Sequence, residues 1–323
     1  MKNILVIGSF GQIGSELTPE LRRRFGNSNV VAADLNVHYD NPMALEGPVE
    51  KLDVTNQQAI ADIVKKYKID TIFNMAAILS VVAETKPQIA WNVGVNGIFN
   101  CLEVAREYKC AVFTPSSIAA FGVGTPLNHT PQDTIQRPGT MYGVTKVTSE
   151  LLSDYYHKRF GVDTRSVRYP GIISNVTLPG GGTTDYAVEI YYEAIKSARY
   201  TSFLKAGTFL DMMYMPDALN ATIQLMEADP TKLKHHNSFN ISAMSLDPEM
   251  IAAEIRKHIP EFKLDYRIDE GKQQIADTWP NSMDDSCARE EWNWKPEWDL
   301  ATMTADMLRA IQEKNAKGLL KTA

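Results

Sequence analysis

The first fourteen residues join an apolar segment, Ile4-Leu5-Val6-Ile7, directly to a glycine-rich turn with the spacing Gly8-x-x-Gly11-x-x-Gly14. A fully apolar segment of this kind is typical of a strand in a parallel sheet that is covered on both faces. Gly8 allows a tight turn, Gly11 lets a ligand approach the backbone, and Gly14 lets the next helix pack close to the strand. The start of that helix offers N–H groups to an anion. The sequence therefore predicts a site for the pyrophosphate of a dinucleotide.

A carboxylate in the expected place strengthens this interpretation. A second apolar segment, Val30-Val31-Ala32-Ala33, ends at Asp34, twenty residues after Gly14. In dinucleotide-binding folds, an acidic residue at this distance accepts hydrogen bonds from the adenosine ribose hydroxyls. The glycine spacing is one residue longer than the commonest Gly-x-Gly-x-x-Gly, so the turn alone is a weak indication and depends on this second feature.

Composition argues against several classes of protein. The chain has 323 residues, a formal net charge of −6 and no basic stripe, which disfavours nucleic acid or an anionic membrane as a partner. No apolar run is long enough to cross a bilayer. The chain enters a core strand at once, which argues against a signal peptide, and its few cysteines fit a reducing compartment. We therefore expect a cytoplasmic protein.

The cysteines and histidines predict no metal site. Cys101, Cys110 and Cys287 are too few and too scattered for a disulfide framework or a zinc centre. The adjacent His235 and His236 follow two lysines, and this composition is typical of a solvated loop.

Strands alternate with helices through the first half of the chain. Apolar periodicity and capping residues predict helices over Gln12–Phe25, Asn56–Tyr67, Pro87–Tyr108 and Met141–Phe160, and strands over Thr71–Asn74, Ala111–Thr114 and Thr164–Tyr169. Such alternation predicts βαβ units with right-handed crossovers. The expected fold is an α/β protein with a Rossmann-type, doubly wound parallel sheet.

The pattern becomes irregular after Pro170, where Pro179-Gly180-Gly181-Gly182 predicts a flexible segment. We expect residues 1–170 to form the dinucleotide-binding domain, to which later segments return. Residues 171–323 are expected to form mainly a smaller C-terminal substrate-binding lobe.

A tyrosine and a lysine four residues apart indicate the chemistry. Tyr142 and Lys146 lie on the predicted helix, and residues i and i+4 share one helix face. An ammonium group one turn away favours the phenolate, although free tyrosine, with a pKa of about 10, is a poor base at neutral pH. The pair can then take a proton from an alcohol while hydride leaves the same carbon.

The serine pair Ser116-Ser117 follows a strand at its carboxyl end, where ligands of open α/β sheets bind. A hydroxyl at this edge can hold the substrate oxygen that Tyr142 deprotonates. The alternative is a local turn or helix cap with no part in the chemistry.

Together these features resemble the extended short-chain dehydrogenase/reductase family. The resemblance extends over most of the chain and includes the Gly8–Gly14 turn, Asp34, Leu52-Asp53-Val54, Ser117, Tyr142, Lys146, Asp211–Ala218 and Trp294-Lys295-Pro296. Asn293 stands where this family usually has glycine. The resemblance implies an oxidoreductase with Tyr142, Lys146 and Ser117 as catalytic residues. It also implies that NAD contacts Gly8, Gly11, Gln12, Ile13, Gly14, Asp34, Leu35, Asp53, Val54, Ala76, Ala77, Tyr142, Lys146 and Tyr169.

A finer resemblance is to the metal-independent, short-chain type of L-threonine 3-dehydrogenase. It rests on the segments Arg168–Ile173, Pro179–Ala187 and Trp279–Ser286. It implies oxidation of the L-threonine 3-hydroxyl to 2-amino-3-oxobutanoate by NAD, in a homodimer formed through Pro87–Tyr108 and Met141–Phe160. The residues that it implies around the amino acid are Ser80, Ser116, Ser117, Tyr142, Thr183 and Thr184.

Two other functions are compatible with these residues. A nucleotide-sugar epimerase or dehydratase of the same superfamily shares Ser117, Tyr142 and Lys146, but it needs a long cleft and groups for a second pyrophosphate. A non-catalytic NAD-binding protein does not require all three side chains together.

Overall fold

The computed structural model describes residues 1–178, 180 and 182–320. Pro179 and Gly181, which belong to the segment expected to be flexible, lie outside the described residues. The described strands are β1 (Ile4–Ile7), β2 (Val30–Asp34), β3 (Val49–Lys51), β4 (Thr71–Asn74), β5 (Ala111–Phe113), β6 (Ser116–Ser117), β7 (Thr164–Arg165), β8 (Val167–Tyr169), β9 (Gly171–Ile173), β10 (Arg199–Ser202), β11 (Leu210–Tyr214), β12 (Phe239–Asn240), β13 (Met244–Leu246) and β14 (Lys263–Tyr266).

The described α-helices range from four to twenty residues in length. They are α1 (Gly14–Phe25), α2 (Pro42–Leu45), α3 (Gln57–Tyr67), α4 (Ser80–Thr85), α5 (Pro87–Trp91), α6 (Gly97–Tyr108), α7 (Met141–Phe160), α8 (Tyr186–Ser197), α9 (Met215–Glu227), α10 (Pro248–Arg256), α11 (Glu270–Ala276), α12 (Ser286–Trp292) and α13 (Leu300–Ala316). Within the described ranges, we find no helix that combines the length and the apolar character needed to span a membrane.

The central sheet has six parallel strands in the order β3-β2-β1-β4-β5-β7. β1 lies between β2 and β4, so the chain runs outward in one direction from β1 and then returns to its other side. In open α/β sheets, ligands bind where the strand order reverses, outside the carboxyl ends of the strands. The sheet confirms the expected Rossmann-type fold and places the cleft beyond Ile7 and Asn74.

Alternate residues of β1 enter cores on opposite faces of the sheet, as the period of a strand requires. Ile4 and Val6 pack in the cluster that includes residues of α1, whereas Leu5 and Ile7 pack in the cluster that includes residues of α3 and α6. All four side chains are buried. Helices thus cover both faces, which explains why the strand is apolar throughout.

Segments after residue 170 contact elements of the first 170 residues and also form a core of their own. β12 pairs with β8 in a three-stranded sheet with β6, and α9 packs against α1. Two further small sheets, in the orders β13-β11-β9 and β10-β14, accompany a third apolar core built largely from α8, α10 and α13. The division at residue 170 stays a prediction.

Candidate active site

The glycine-rich turn follows β1 without a break and leads into α1. Gly8 has φ +80°, a conformation that side chains disfavour, and a Cβ on Gly14 would stand 2.1 Å from the Gly8 carbonyl oxygen. Both positions therefore require glycine. No side chain in the described part of the chain caps the start of α1, and the N–H groups of Ser15 and Glu16 donate to the carbonyls of Gly11 and Ile13 at 2.9 and 3.1 Å. The positive end of the helix dipole faces the turn and favours an anion there.

Asp34 ends β2 beside this turn. Its Oδ2 accepts a hydrogen bond from the backbone N–H of Phe10 at 3.0 Å, and its Oδ1 accepts one from Asn36 at 3.1 Å. The carboxylate therefore fixes the turn and lies in the wall of a cavity of about 370 Å³. Of the residues implied to bind the cofactor, Gly8, Gly11, Asp34, Leu35, Asp53, Val54, Ala76 and Ala77 line this cavity.

Tyr142 and Lys146 lie in the first turns of α7, where the predicted bounds of the helix are confirmed. Thr140 caps the helix by accepting a hydrogen bond from Gly143 N–H at 3.1 Å. Lys146 Nζ lies 5.3 Å from the centre of the Tyr142 ring and donates to the Pro115 carbonyl at 2.8 Å. The cap fixes the register in which the helix presents its reactive face.

Burial controls the protonation of this pair. It raises the pKa of Tyr142 to about 12, and the hydrogen bond with Ser117 opposes that rise. It also lowers the pKa of Lys146 to about 8, against the opposing charge of Glu150. The sequence predicted that the ammonium would favour the phenolate. Desolvation outweighs that influence on Tyr142, because a buried phenolate loses its hydration.

The two serines differ in their partners. Ser117 lies close enough to Tyr142 to lower the pKa of its phenol, and Ser117 Oγ accepts a hydrogen bond from Ala119 N–H at 3.2 Å. Ser116 Oγ donates to the buried carboxylate of Glu150. The Ser116 hydroxyl is therefore directed to Glu150 rather than to Tyr142.

A second cavity, of about 290 Å³, is lined by the side chains predicted to be catalytic. It is lined by the remaining predicted residues: Gln12, Ile13, Gly14, Ser80, Ser116, Ser117, Tyr142, Lys146, Tyr169, Thr183 and Thr184. Gly8, Gly11, Met75 and Ala77 line both cavities, which therefore adjoin along one cleft. Ser80 and Thr183 are buried there. The hydroxyl of Tyr169 is hydrogen-bonded to that of Thr222, so Tyr169 lines the cavity with atoms other than its hydroxyl.

The main residue that sequence reasoning missed is Trp279. Its side chain lines this second cavity while belonging to the C-terminal core. Asp185, which accepts a hydrogen bond from Gly182 N–H, also lines the cavity. Both residues lie within segments on which the finer resemblance rests, and that was the available signal.

His235, Cys287 and Glu291 lie together away from this cleft, with possible ligand atoms within 4.8 Å of one another. His235 Nδ1 and Glu291 Oε1 are 2.5 Å apart. Two tetrahedral ligands at the zinc distance of about 2.0–2.1 Å stand roughly 3.4 Å apart. The closer spacing is that of a hydrogen bond. The two histidines lie in a loop as expected, but they are half-buried rather than fully solvated.

Comparison with known proteins agrees with this geometry. Residues 4–242 match the NAD dependent epimerase/dehydratase family. The chain belongs to that family. An uncharacterized epimerase/dehydratase from Staphylococcus haemolyticus is 54% identical over 314 residues, which are 97% of this chain and 99% of the relative.

Two solved structures are also similar over nearly their whole length. L-threonine dehydrogenase from Clostridium difficile is 58% identical, with a TM-score of 0.96, over 97% of this chain and 98% of that one. L-threonine 3-dehydrogenase from Trypanosoma brucei is 40% identical, with a TM-score of 0.94, over the whole of both chains. Membership of the family confirms the resemblance to extended short-chain dehydrogenases and implies a nicotinamide cofactor.

Proposed function

We propose that this chain oxidises the 3-hydroxyl of L-threonine to 2-amino-3-oxobutanoate with NAD⁺. The observation that carries the proposal is the meeting of Tyr142, Lys146 and Ser117 with Thr183 in one small cavity that adjoins the glycine-rich turn. The similar structures of L-threonine dehydrogenases support the choice of substrate.

The cleft fits the two ends of NAD⁺. The N-terminus of α1 suits the pyrophosphate, because its N–H groups and the helix dipole favour an anion. Asp34 suits the adenosine ribose, and Lys146 suits the ribose at the nicotinamide end. When bound, NAD⁺ supplies the acceptor for the hydride that leaves C3 of the substrate.

Tyr142 acts as the general base in this proposal. Its hydroxyl oxygen takes the proton of the substrate 3-hydroxyl, and Ser117 holds the same oxygen in place. Lys146 contributes its positive charge, which opposes the effect of burial on Tyr142 and stabilises the phenolate. As the proton passes to the tyrosine, the alcohol carbon becomes a carbonyl.

Polar groups around the remainder of the cavity would hold the amino acid. Ser80, Thr183 and Thr184 supply hydroxyl and backbone groups for the substrate carboxylate and ammonium. The Ser116 hydroxyl donates to Glu150, so Ser116 would contact the substrate through its backbone rather than through its hydroxyl. The cavity of about 290 Å³ suits a small substrate, because pockets for drug-sized ligands reach about 300–1,000 Å³.

The deciding experiment compares L-threonine with a nucleotide sugar. Purified protein with NAD⁺ should produce NADH, followed by its absorbance, when L-threonine is added. UDP-glucose should give neither NADH nor an epimerised sugar. Epimerisation without oxidation of L-threonine would establish the alternative function instead. Binding of NAD⁺ with no turnover of either compound would indicate a non-catalytic protein.

A further inference from the structure

One face of α7 makes three successive contacts with the chain segment that follows β5. Tyr142, Lys146 and Glu150 are spaced by four residues, so they lie one above another on that face. Their partners are three consecutive residues. The pairs are Tyr142 with Ser117, Lys146 with Pro115, and Glu150 with Ser116.

The third pair extends into a buried ion pair. Arg168 Nε donates to Glu150 Oε1 at 3.0 Å, and its Nη2 donates to Oε2 at 2.9 Å. Gln136 Nε2 adds a hydrogen bond to Oε2 at 2.8 Å. Arg168 and Glu150 are 6% and 5% exposed. Every oxygen of the carboxylate is therefore held, and its charge is fixed in place by a bidentate partner.

The remaining guanidinium nitrogen of Arg168, Nη1, also makes hydrogen bonds. Its Nη1 donates to the Gln132 carbonyl at 2.7 Å and to Asn240 Oδ1 at 3.0 Å. Arg168 also pairs with Ser116 in the register of β8 against β6. The ion pair thus links α7 to the small sheet that carries Ser116 and Ser117.

We propose that Glu150 is a positioning residue for the reaction, holding residues 115–117 in register and keeping a fixed negative charge one helical turn from Lys146. The assignment rests on the proposed function. Its consequence is that Lys146 keeps its proton to a higher pH than burial alone would allow.

The charges around Lys146 determine the direction of the effect. The ionisable groups facing it are Tyr142 and Glu150, both on α7; Glu150 in turn faces Arg168 on β8. Burial lowers the pKa of Lys146, and the Glu150 charge opposes that change. After the Tyr142–Lys146 pair has lost one proton, the remaining proton can lie on either residue. The negative charge of Glu150 favours the form in which Lys146 is an ammonium ion and Tyr142 a phenolate over the form in which Lys146 is a neutral amine and Tyr142 a phenol. Only the former contains the base.

Glu150→Gln tests this prediction because it keeps the shape of the side chain and removes its charge. The apparent pKa of the pair should fall by about one unit, since the field that retained the proton is lost. The plateau of kcat should fall about tenfold, since less of the pair carries the phenolate. Ser116→Ala, which keeps the charge and removes one contact, should lower kcat without moving the apparent pKa.

A readout that needs no substrate separates this proposal from the proposed function. Lysine labelled with ¹³C at Cε allows the Lys146 resonance, assigned by its absence in Lys146→Met, to be titrated by NMR. Its midpoint should fall by about one unit in Glu150→Gln and stay unchanged in Ser116→Ala. The charge assignment is tested in this way even if the wild type fails to oxidise L-threonine.

Breaking a buried ion pair destabilises a fold, because one charge is left unpaired. The double variant Glu150→Gln/Arg168→Gln therefore serves as a second test, since it removes both charges together. It should lower the Lys146 midpoint by less than Glu150→Gln does, because the Arg168 charge that offsets the carboxylate is removed with it. A Lys146 midpoint that does not fall in either folded variant overturns the proposal and leaves the ion pair a purely structural one.

Discussion

Lys146 is anchored to Pro115 by a hydrogen bond of 2.8 Å from its Nζ to the backbone carbonyl. The contact spans from α7 to the segment that carries the reactive serines. Because the lysine is buried, its long side chain has little freedom to turn away from Tyr142. The ammonium is therefore held near the phenol ring by the fold itself, which makes the following consequences testable.

Tyr142→Phe should fold and bind NAD⁺ but lose most turnover of L-threonine. The hydroxyl is the proposed base, and general-base catalysis contributes on the order of 10²–10⁴ in rate. Steady-state kcat at neutral pH measures the loss, and Tyr266→Phe on β14 serves as the control. Tyr266 is exposed and should tolerate the change. Retention of more than about half of kcat in Tyr142→Phe would exclude the assigned role.

Turnover should rise with pH as the Tyr142–Lys146 pair loses a proton. The pKa of Lys146 is lowered to about 8 and that of Tyr142 is raised to about 12, so the first proton leaves the coupled pair near pH 8. Below that pH both groups are protonated and no base is present. The measurement is kcat against pH under conditions in which chemistry limits the rate. A flat profile from pH 6 to about 10 would contradict the assignment.

Asp34 should make the enzyme prefer NAD⁺ to NADP⁺. Its carboxylate would repel the 2′-phosphate, and Leu35-Asn36-Val37-His38 supplies no arginine to neutralise that charge. Asp34→Asn keeps an oxygen for Phe10 N–H while removing the charge. The ratio of kcat/KM for NAD⁺ to that for NADP⁺ should fall by about tenfold or more. Equal values for the two cofactors in the wild type would show that Asp34 does not face the ribose.

Exposed apolar side chains lie on the helices through which the family resemblance predicts a dimer. Leu151 and Tyr155 on α7 are 62% and 54% exposed, and Phe99 on α6 is also exposed. Leu151→Glu should convert a dimer to a monomer in sedimentation experiments, because a charge would be buried between the two copies. Val123→Glu, at an apolar side chain that is 73% exposed elsewhere, is the matched control. A wild-type monomer would remove the dimer from the proposal.

Local patterns predicted the first half of the fold well. β4 and α7 have the predicted bounds, because a short buried strand and a capped helix each depend on nearby residues. Pro87–Tyr108 was expected as one helix, yet it contains a π-helical turn at Asn92–Asn96 between α5 and α6. This segment packs against α7, and helical periodicity in the sequence does not predict such a contact between distant residues.

The position of Asn293 illustrates a substitution that the backbone tolerates. It ends α12 with φ 60° and ψ 34°, the left-handed conformation for which glycine is usual. Asparagine enters this region more readily than most residues, because its short side chain can bond to the local backbone. The turn therefore forms although the family's glycine is absent.

The C-terminal side of the site was harder to infer, because residues distant in the sequence create it. Trp292 and Trp294 pack in the core that includes Ile4, whereas Trp279 enters the reactive cavity. These tryptophans lie close together in the sequence, but only the fold shows that they pack in different places. Likewise, the Tyr142–Lys146 spacing predicted a shared face, while the pKa of Tyr142 depended on burial that only the assembled fold provides.

Thr184 should contribute to recognition of the amino acid rather than of the cofactor. It lines the reactive cavity next to the buried Thr183, and it does not line the adenosine end of the cleft. A site that pairs polar substrate groups discriminates against analogues that lack them, because its own buried groups are then left unpaired. L-threonine should therefore be oxidised far better than 2-butanol, which keeps a secondary alcohol without either charged group.

Thr184→Ala should raise KM for L-threonine about tenfold, by loss of one hydrogen bond to a charged group, and leave the Kd for NAD⁺ nearly unchanged. Initial rates and fluorescence titration with NAD⁺ measure the two effects separately. If Thr184→Ala weakens only NAD⁺ binding, or if 2-butanol matches L-threonine, the amino-acid pocket lies elsewhere and the proposed substrate loses its structural support.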